Sequence, residues 1–247
     1  MVATGKAAGG RARHRKIVDA LVADLAGLRF GPPVRCVYNP LIYARAPYEA
    51  YWERYGSPGK EVVLLGMNPG PWGMAQTGVP FGDVVLVENW LGVRAPVMRP
   101  RQEHPARPVK GFKCTRREVS GRRLWGWARD RFGTPEAFFA RFFVANYCPL
   151  VFMEESGRNR TPDKLKAAEK APLLAACDRA LQDTVDLLEA RMVVGVGKFA
   201  AARAAEALQG KRVTVGSISH PSPANPRANQ GWSELASREL VALGVAL

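Results

Sequence analysis

The chain is expected to fold as an α/β three-layer sandwich, with a central, mostly parallel four-stranded sheet flanked by helices. Four short apolar runs occur along the sequence, and helical patterns lie between them. Strands that alternate with helices build a parallel sheet covered on both faces. The chain has 247 residues and is 47% hydrophobic, enough to bury one substantial core. Its 24 glycines and 19 prolines follow no period, which excludes collagen-like and solenoid architectures.

Residues 1–12 are rich in Gly, Ala and Arg without pattern. They are expected to form a mobile basic tail ahead of a single domain over residues 13–247. From Arg13 to Leu28 the apolar residues Ile17, Val18, Leu21, Val22, Leu25 and Leu28 recur at helical spacing. Residues 31–58 mix Pro, Tyr and Arg and read as an irregular connection with a short helix near Tyr48–Tyr55. Glu61–Leu65 is an apolar run closed by a Gly/Pro turn, the mark of a buried strand. Asp83–Leu91 follows as a helix. Arg94–Arg123 holds ten Lys/Arg against Glu103 and Glu118, with prolines through its first half. A long loop in a compact domain is usually functional or disordered. Phosphate tracking is the preferred reading of this loop; a solvated loop is the alternative. Arg117–Phe132 is helical.

Thr134-Pro135-Glu136 and Thr161-Pro162-Asp163 have the order of helix starts: a capping Thr, Pro in the first turn, then an acid near the dipole. Phe142–Ala145, Met192–Gly195 and Arg212–Ile218 are the remaining strand candidates. Ala171–Glu189, Lys198–Leu208 and Gly231–Leu243 are the remaining helices.

A net charge of +14, from 36 Lys+Arg against 22 Asp+Glu, favours a polyanion partner. A basic proteome with a solvated surface explains it equally well. No stretch approaches the roughly 20 apolar residues that span a bilayer. No apolar region follows the basic N-terminus, so no secretory signal is read and no membrane partner is expected. An intracellular location is expected, in the cytoplasm or nucleoid of a bacterium or the nucleus of a eukaryote. Cys36, Cys114, Cys148 and Cys177 form no C-x-x-C pair, and the only histidines are His14, His104 and His220. Neither a zinc nor an iron–sulfur site is expected, and no cofactor is implied.

In parallel sheets, ligands bind beyond the carboxyl ends of the strands. The first strand runs into Gly66-Met67-Asn68-Pro69-Gly70-Pro71-Trp72-Gly73-Met74, where three glycines let a ligand approach the main chain. This is neither a dinucleotide fingerprint nor a P-loop, and Gly195-Val196-Gly197-Lys198 also fails as a P-loop. The last strand runs into Ser219-His220-Pro221-Ser222-Pro223, which places His220 to face a site. A lone histidine is more often structural. Asn146, at the end of the middle strand, can read a base edge or satisfy local backbone groups.

Gly66–Asp83 (GMNPGPWGMAQTGVPFGD), EVSGRRLWGW (118–127), NYCPL (146–150), SGRNRTP (156–162) and HPSPANPRANQGW (220–232) closely resemble signature segments of the single-strand-selective monofunctional uracil-DNA glycosylases. The resemblance runs in order from about Val34 to Leu243. It implies a uracil-DNA glycosylase-like fold. It also implies a monofunctional enzyme of base-excision repair that flips uracil out of DNA and hydrolyses the N-glycosidic bond, leaving an abasic site. Asn68 then resembles the residue that orients the attacking water. His220 resembles the one that stabilises negative charge on the departing base. Phe81 resembles the stacking platform, with a core aromatic as its bland alternative. Asn146 resembles the residue that reads the uracil edge and rejects cytosine. Met67, Gly70 and Met74 resemble a pocket wall near the base 5-position that admits 5-hydroxymethyluracil and related bases.

Ser222, Pro223, Ala224, Asn225, Arg227 and Gln230 fall in the segment that resembles the family's DNA wedge and its phosphate contacts. Ala224 departs from the arginine often found there, and Arg227 is a candidate substitute. No lysine lies in these motifs, which suits a water nucleophile. The implied partners are double- and single-stranded DNA containing uracil or modified uracil, acted on by a monomer, with U opposite G processed faster than U opposite A. A non-catalytic lesion-binding protein and a glycosylase for deaminated purines are the competing readings.

Overall fold

The computed structural model describes the backbone of residues 2–247 and the side chains of residues 9–247. In chain order the elements are α1 (Val2–Ala26), β1 (Val34–Tyr38), α2 (Pro40–Tyr43), α3 (Arg45–Tyr55), β2 (Val62–Gly66), α4 (Met74–Thr77), α5 (Val84–Asn89), α6 (Val119–Phe132), α7 (Pro135–Phe139), β3 (Phe142–Asn146), β4 (Val151–Glu154), β5 (Asn159–Arg160), α8 (Ala167–Leu188), β6 (Met192–Val196), α9 (Lys198–Ala207), β7 (Thr214–Ile218), α10 (Pro226–Asn229) and α11 (Trp232–Ala242).

The central sheet has the order β3-β2-β6-β7, and every pairing in it is parallel. Its inner strands are apolar throughout because both faces are covered; Val62, Val63, Leu64 and Leu65 are each 0% exposed. Helices α1, α8 and α9 pack together and reach the sheet through α9. Helices α6, α7 and α11 form a second group that reaches it through α7 and α11. Between α6, α7 and β3 lies an aromatic cluster of Trp125, Trp127, Phe138, Phe139, Phe142 and Phe143 with ring pairs mostly edge-on or tilted. The expected three-layer α/β sandwich is therefore the observed one.

Four local expectations are corrected. The irregular segment after residue 31 contains strand β1, which pairs antiparallel with β4, and β4 pairs antiparallel with β5. This second sheet went unread because β1 alternates buried and exposed residues over only five positions and β5 is two residues long. Helix α1 begins at Val2 and not near Arg13, so the described residues 2–12 are helical where a tail was expected. Alanine, lysine and arginine there are good helix formers, and they outweigh Gly5, Gly9 and Gly10. Thr161 opens only a 3₁₀ turn, Pro162–Lys164, and its side chain makes no cap. Helix α8 starts at Ala167, ahead of the Pro172 that made a later start look natural. Thr134, in contrast, caps α7 through the amide of Ala137 at 3.2 Å.

The charged segment 94–118 is irregular apart from one 3₁₀ turn, as expected. It is tied down by specific bonds. Tyr38 accepts from the His104 amide at 2.7 Å and donates to the Arg107 carbonyl at 2.8 Å. Gln76 donates to the carbonyls of Pro71 and Pro108 and accepts from the Lys110 amide. Among the described residues no three His, Cys, Asp or Glu converge on one point, and no helix is long and apolar enough to cross a membrane.

Candidate active site

A cavity of about 340 Å³ opens beyond the carboxyl ends of β2, β3 and β7. It collects Met67, Asn68, Gly70 and Met74 from the segment after β2, Phe81 from the turn after α4, Asn146 from the end of β3, and His220 and Ser222 from the loop after β7. Residues up to 155 positions apart in sequence are thus assembled by strand order, as the parallel sheet requires.

Gly66 lets the side chains of Asn146 and Phe81 close in on the end of β2. It sits opposite Asn146 in the β2–β3 register. A side chain at Gly66 would collide with Asn146 Oδ1 and with the Phe81 ring, whose Cε2 lies 2.6 Å from the site of the missing Cβ. Asn146 is held from its other side, its amide donating to Met74 Sδ at 3.3 Å.

Phe81 has φ +54°, a left-handed conformation that costs a bulky residue about 1–3 kcal/mol. Its surroundings hold it there. The Asp83 amide donates to the Phe81 carbonyl at 2.8 Å, and Trp125 Nε1 donates to Pro80 O at 3.2 Å. Gly121 of α6 has no side chain to clash with that same carbonyl. Strain that is over-determined in this way concentrates at ligand sites. Asp83 is fully buried, accepts a bidentate pair from Arg117 at 2.7 and 2.8 Å and caps α5.

His220 is fixed in one tautomer. The Ser222 amide donates to Nδ1 at 3.0 Å, so Nδ1 is the acceptor and the proton sits on Nε2. Burial lowers its pKa to about 4, which keeps the ring neutral at pH 7. The ring lies close to Phe81, with centroids 6.2 Å apart. Gly197 approaches His220 Cβ so closely that a Cβ there would be 3.2 Å away, and its φ of +98° already excludes most side chains. Asn68 donates through Nδ2 to Leu150 O at 3.1 Å, which leaves Oδ1 as an acceptor on the cavity side.

The loop 220–230 is braced from within. Asn225 caps α10 through Oδ1 and donates through Nδ2 to His220 O at 2.9 Å, so both its polar groups hold the loop and the histidine. Asn229 donates to Pro223 O, while Arg123 of α6 grips Pro221 O and Asn229 Oδ1. Pro223, Ala224 and Gln230 are exposed along it. Arg227 pairs with Glu239 at 3.3 Å, so its guanidinium is turned toward α11.

Beside the mouth, Trp72 is flanked by the guanidinium groups of Arg107 and Arg116, 5.2 and 4.8 Å from the ring centroid. The cavity also contains Gly73, Glu118, Ser120, Asn159 and Thr161; of these the sequence singled out only Gly73, for backbone approach, and Thr161, as a helix cap. Asn159 donates to Pro69 O at 3.3 Å, which ties β5 to the loop carrying Asn68. Glu118 is a half-buried carboxyl whose pKa is raised first by desolvation and also by Asp83, against a lowering bond from the Ser120 amide. Its signal in the sequence is a lone acid between Arg116–Arg117 and an amphipathic helix.

The description of the uracil DNA glycosylase superfamily matches residues 53–240. The single-strand selective monofunctional uracil DNA glycosylase of Mus musculus is 51% identical over 227 residues, covering 91% of this chain and 81% of that one. Its Bos taurus counterpart is 50% identical over 224 residues, covering 90% and 82%. The crystal structure of wild-type Pedobacter heparinus SMUG2 shares the fold, with a TM-score of 0.63 at 18% identity, covering 92% of this chain and 97% of that one.

Proposed function

The chain belongs to the uracil DNA glycosylase superfamily, among its single-strand selective monofunctional members, and from that premise we propose how its cavity works. The enzyme is a uracil-DNA glycosylase, a hydrolase of DNA repair. The target nucleotide is flipped from the strand into the cavity, at a cost of a few kcal/mol that is least for mispaired or unpaired bases. The base stacks on Phe81, a contact worth about 1–3 kcal/mol. Asn146 pairs with its N3–H and O4 edge.

The observation that carries the reading is the locked His220. A neutral imidazole with its only proton on Nε2 donates a hydrogen bond to O2 as the glycosidic electrons move into the base. The donor is already oriented and already dry, so it strengthens as charge develops. The sugar is left as an oxocarbenium-like cation, which accepts even a weak nucleophile. Asn68 Oδ1 accepts a proton of the attacking water and positions it; an amide suffices because the bond to the base breaks first. The product is an abasic site with the strand intact, and no metal takes part.

Met67, Gly70 and Met74 form the wall beside the ring, with room for 5-hydroxymethyluracil and similar bases. Pro223, Ala224 and Gln230 enter the space left by the flipped base. Ser222 contacts the backbone phosphate. Arg107 and Arg116 beside Trp72 track the strand outside the mouth. The protein acts as a monomer.

The test uses end-labelled DNA containing one U:G pair, incubated with enzyme and then cleaved by alkali at abasic sites. Wild type should give alkali-dependent cleavage. His220→Ala should slow it about 100- to 1000-fold, the usual loss for one oxyanion donor, and Asn68→Ala should slow it comparably. Binding without cleavage by the wild-type chain would leave a lesion-binding protein on this fold.

A further inference from the structure

The cavity holds one carboxyl group that the reaction above does not use. Glu118 precedes α6 and caps it weakly, Oε1 accepting from the Ser120 amide at 3.4 Å. Oε2 has no hydrogen-bond or ion-pair partner among the described residues. It lies where a side chain on Gly70 would stand, and a Cβ on Gly73 would be 3.0 Å from Glu118 Cγ. Two glycines are therefore what admit this carboxyl to the cavity wall. Apart from His220 it is the sole ionisable side chain lining the cavity.

The edges of a pyrimidine identify what Glu118 faces. N1 carries the sugar, O2 meets His220, N3–H and O4 meet Asn146, and one face lies on Phe81. The C5–C6 edge is left, and Glu118 Oε2 stands against Gly70, on the wall placed beside that edge. Resting on the function proposed above, we propose that Glu118 is the specificity-determining residue for the base 5-position, favouring a hydroxyl-bearing substituent and disfavouring the methyl of thymine.

The chemistry follows from burial. Desolvation raises the Glu118 pKa, against the lowering bond from the Ser120 amide. In either protonation state the carboxyl accepts a hydrogen bond, and a 5-hydroxymethyl group supplies the donor. A methyl group excludes water from the carboxyl and returns no hydrogen bond, so the polar group is left unpaired. Sites built to hydrogen-bond a substrate hydroxyl reject the analogue that lacks it more strongly than apolar pockets discriminate by size. DNA is rich in thymine, so such a filter bears directly on which bases survive.

The experiment is single-turnover base release from matched single-stranded oligonucleotides carrying uracil, 5-hydroxymethyluracil or thymine. Glu118→Leu should lower the 5-hydroxymethyluracil-to-uracil rate ratio about 10- to 100-fold and raise the thymine-to-uracil ratio. Glu118→Gln keeps a hydrogen-bond acceptor and should hold the first ratio within about threefold of wild type. Ratios unmoved by Glu118→Leu, in an enzyme that still releases uracil, overturn the inference and leave Glu118 as a helix cap. A wild-type enzyme that releases no base overturns the glycosylase mechanism itself, a separate failure.

Discussion

The parallel sheet β3-β2-β6-β7 and the antiparallel sheet β1-β4-β5 both end at the cavity, but they hold their residues by different means. Strands β2 and β3 are apolar and covered on both faces, and their register sets Gly66 opposite Asn146. What emerges at their ends is positioned by backbone pairing and core packing. The antiparallel sheet ends in a two-residue strand, and its contribution is fixed by side chains: Asn159 on Pro69 O, Arg160 on Glu154 and on Lys164 O. Asn68 belongs to both, carried by the loop after β2 and anchored on Leu150 just before β4. The contrast makes the Asn146 side of the cavity the stiff one and the Asn159 side the adjustable one.

Replacing Asn146 by Leu should test the stiff side most severely. The side chain keeps a branched shape and loses the amide proposed to read the base edge. Two lost hydrogen bonds of about 1–1.5 kcal/mol each correspond to roughly a 100-fold loss of single-turnover uracil release. Thermal stability should move little, because the Asn146 side chain is only partly buried and bonds only to a thioether. A loss of stability as large as the loss of rate would show that Asn146 is a strut of the sheet.

Asn159→Ala tests the adjustable side, with a smaller expected effect. Its Nδ2 bond to Pro69 O is long, and its Oδ1 is buried with no partner. Removing the residue loses one weak bond and also removes an unsatisfied acceptor, so the two changes offset within about 1 kcal/mol. Uracil release should fall by about tenfold or less. A drop matching that of Asn146→Leu would make the antiparallel sheet as rigid a support as the parallel one.

The same contrast governs what could be read in the chain beforehand. β2, β3 and β6 stand out because burial on both faces demands near-continuous apolar runs, and Asn146 follows as the residue where the β3 run stops. β1 hides because Val34, Cys36 and Tyr38 alternate over a single turn's length among prolines and arginines. Asn159 and Glu118 hide because their place in the cavity depends on side-chain bonds and on glycines distant in sequence. The SGRNRTP segment stood out by resemblance and yet carried no role until β5 placed Asn159 beside Pro69. Arg227, the candidate substitute for the wedge arginine, is paired with Glu239, a partner 12 positions away that the sequence does not mark.

The smallest expected effect, and the one closest to the catalytic premise, concerns protons on His220. Its pKa is lowered to about 4 in the folded protein, against an ordinary value of 6.5 when unfolded. Between those values the unfolded chain binds the proton and the folded chain does not. Stability is therefore fully present above about pH 6.5, declines as pH falls toward 4, and is not lost further through this group below that. His14, stacked on Trp52 and lowered to about 3, acts in the same direction and extends the decline. The His220 ring resonances, followed by NMR, should titrate with a midpoint near 4 and show no inflection near 6.5. Ser222→Pro would remove the amide that bonds Nδ1, and should raise that midpoint toward the ordinary value as the loop opens. A wild-type midpoint near 6.5 would mean that the imidazole is solvated and free to carry either tautomer, and the preset Nε2–H donor would no longer distinguish the stiff side of the cavity from the adjustable one.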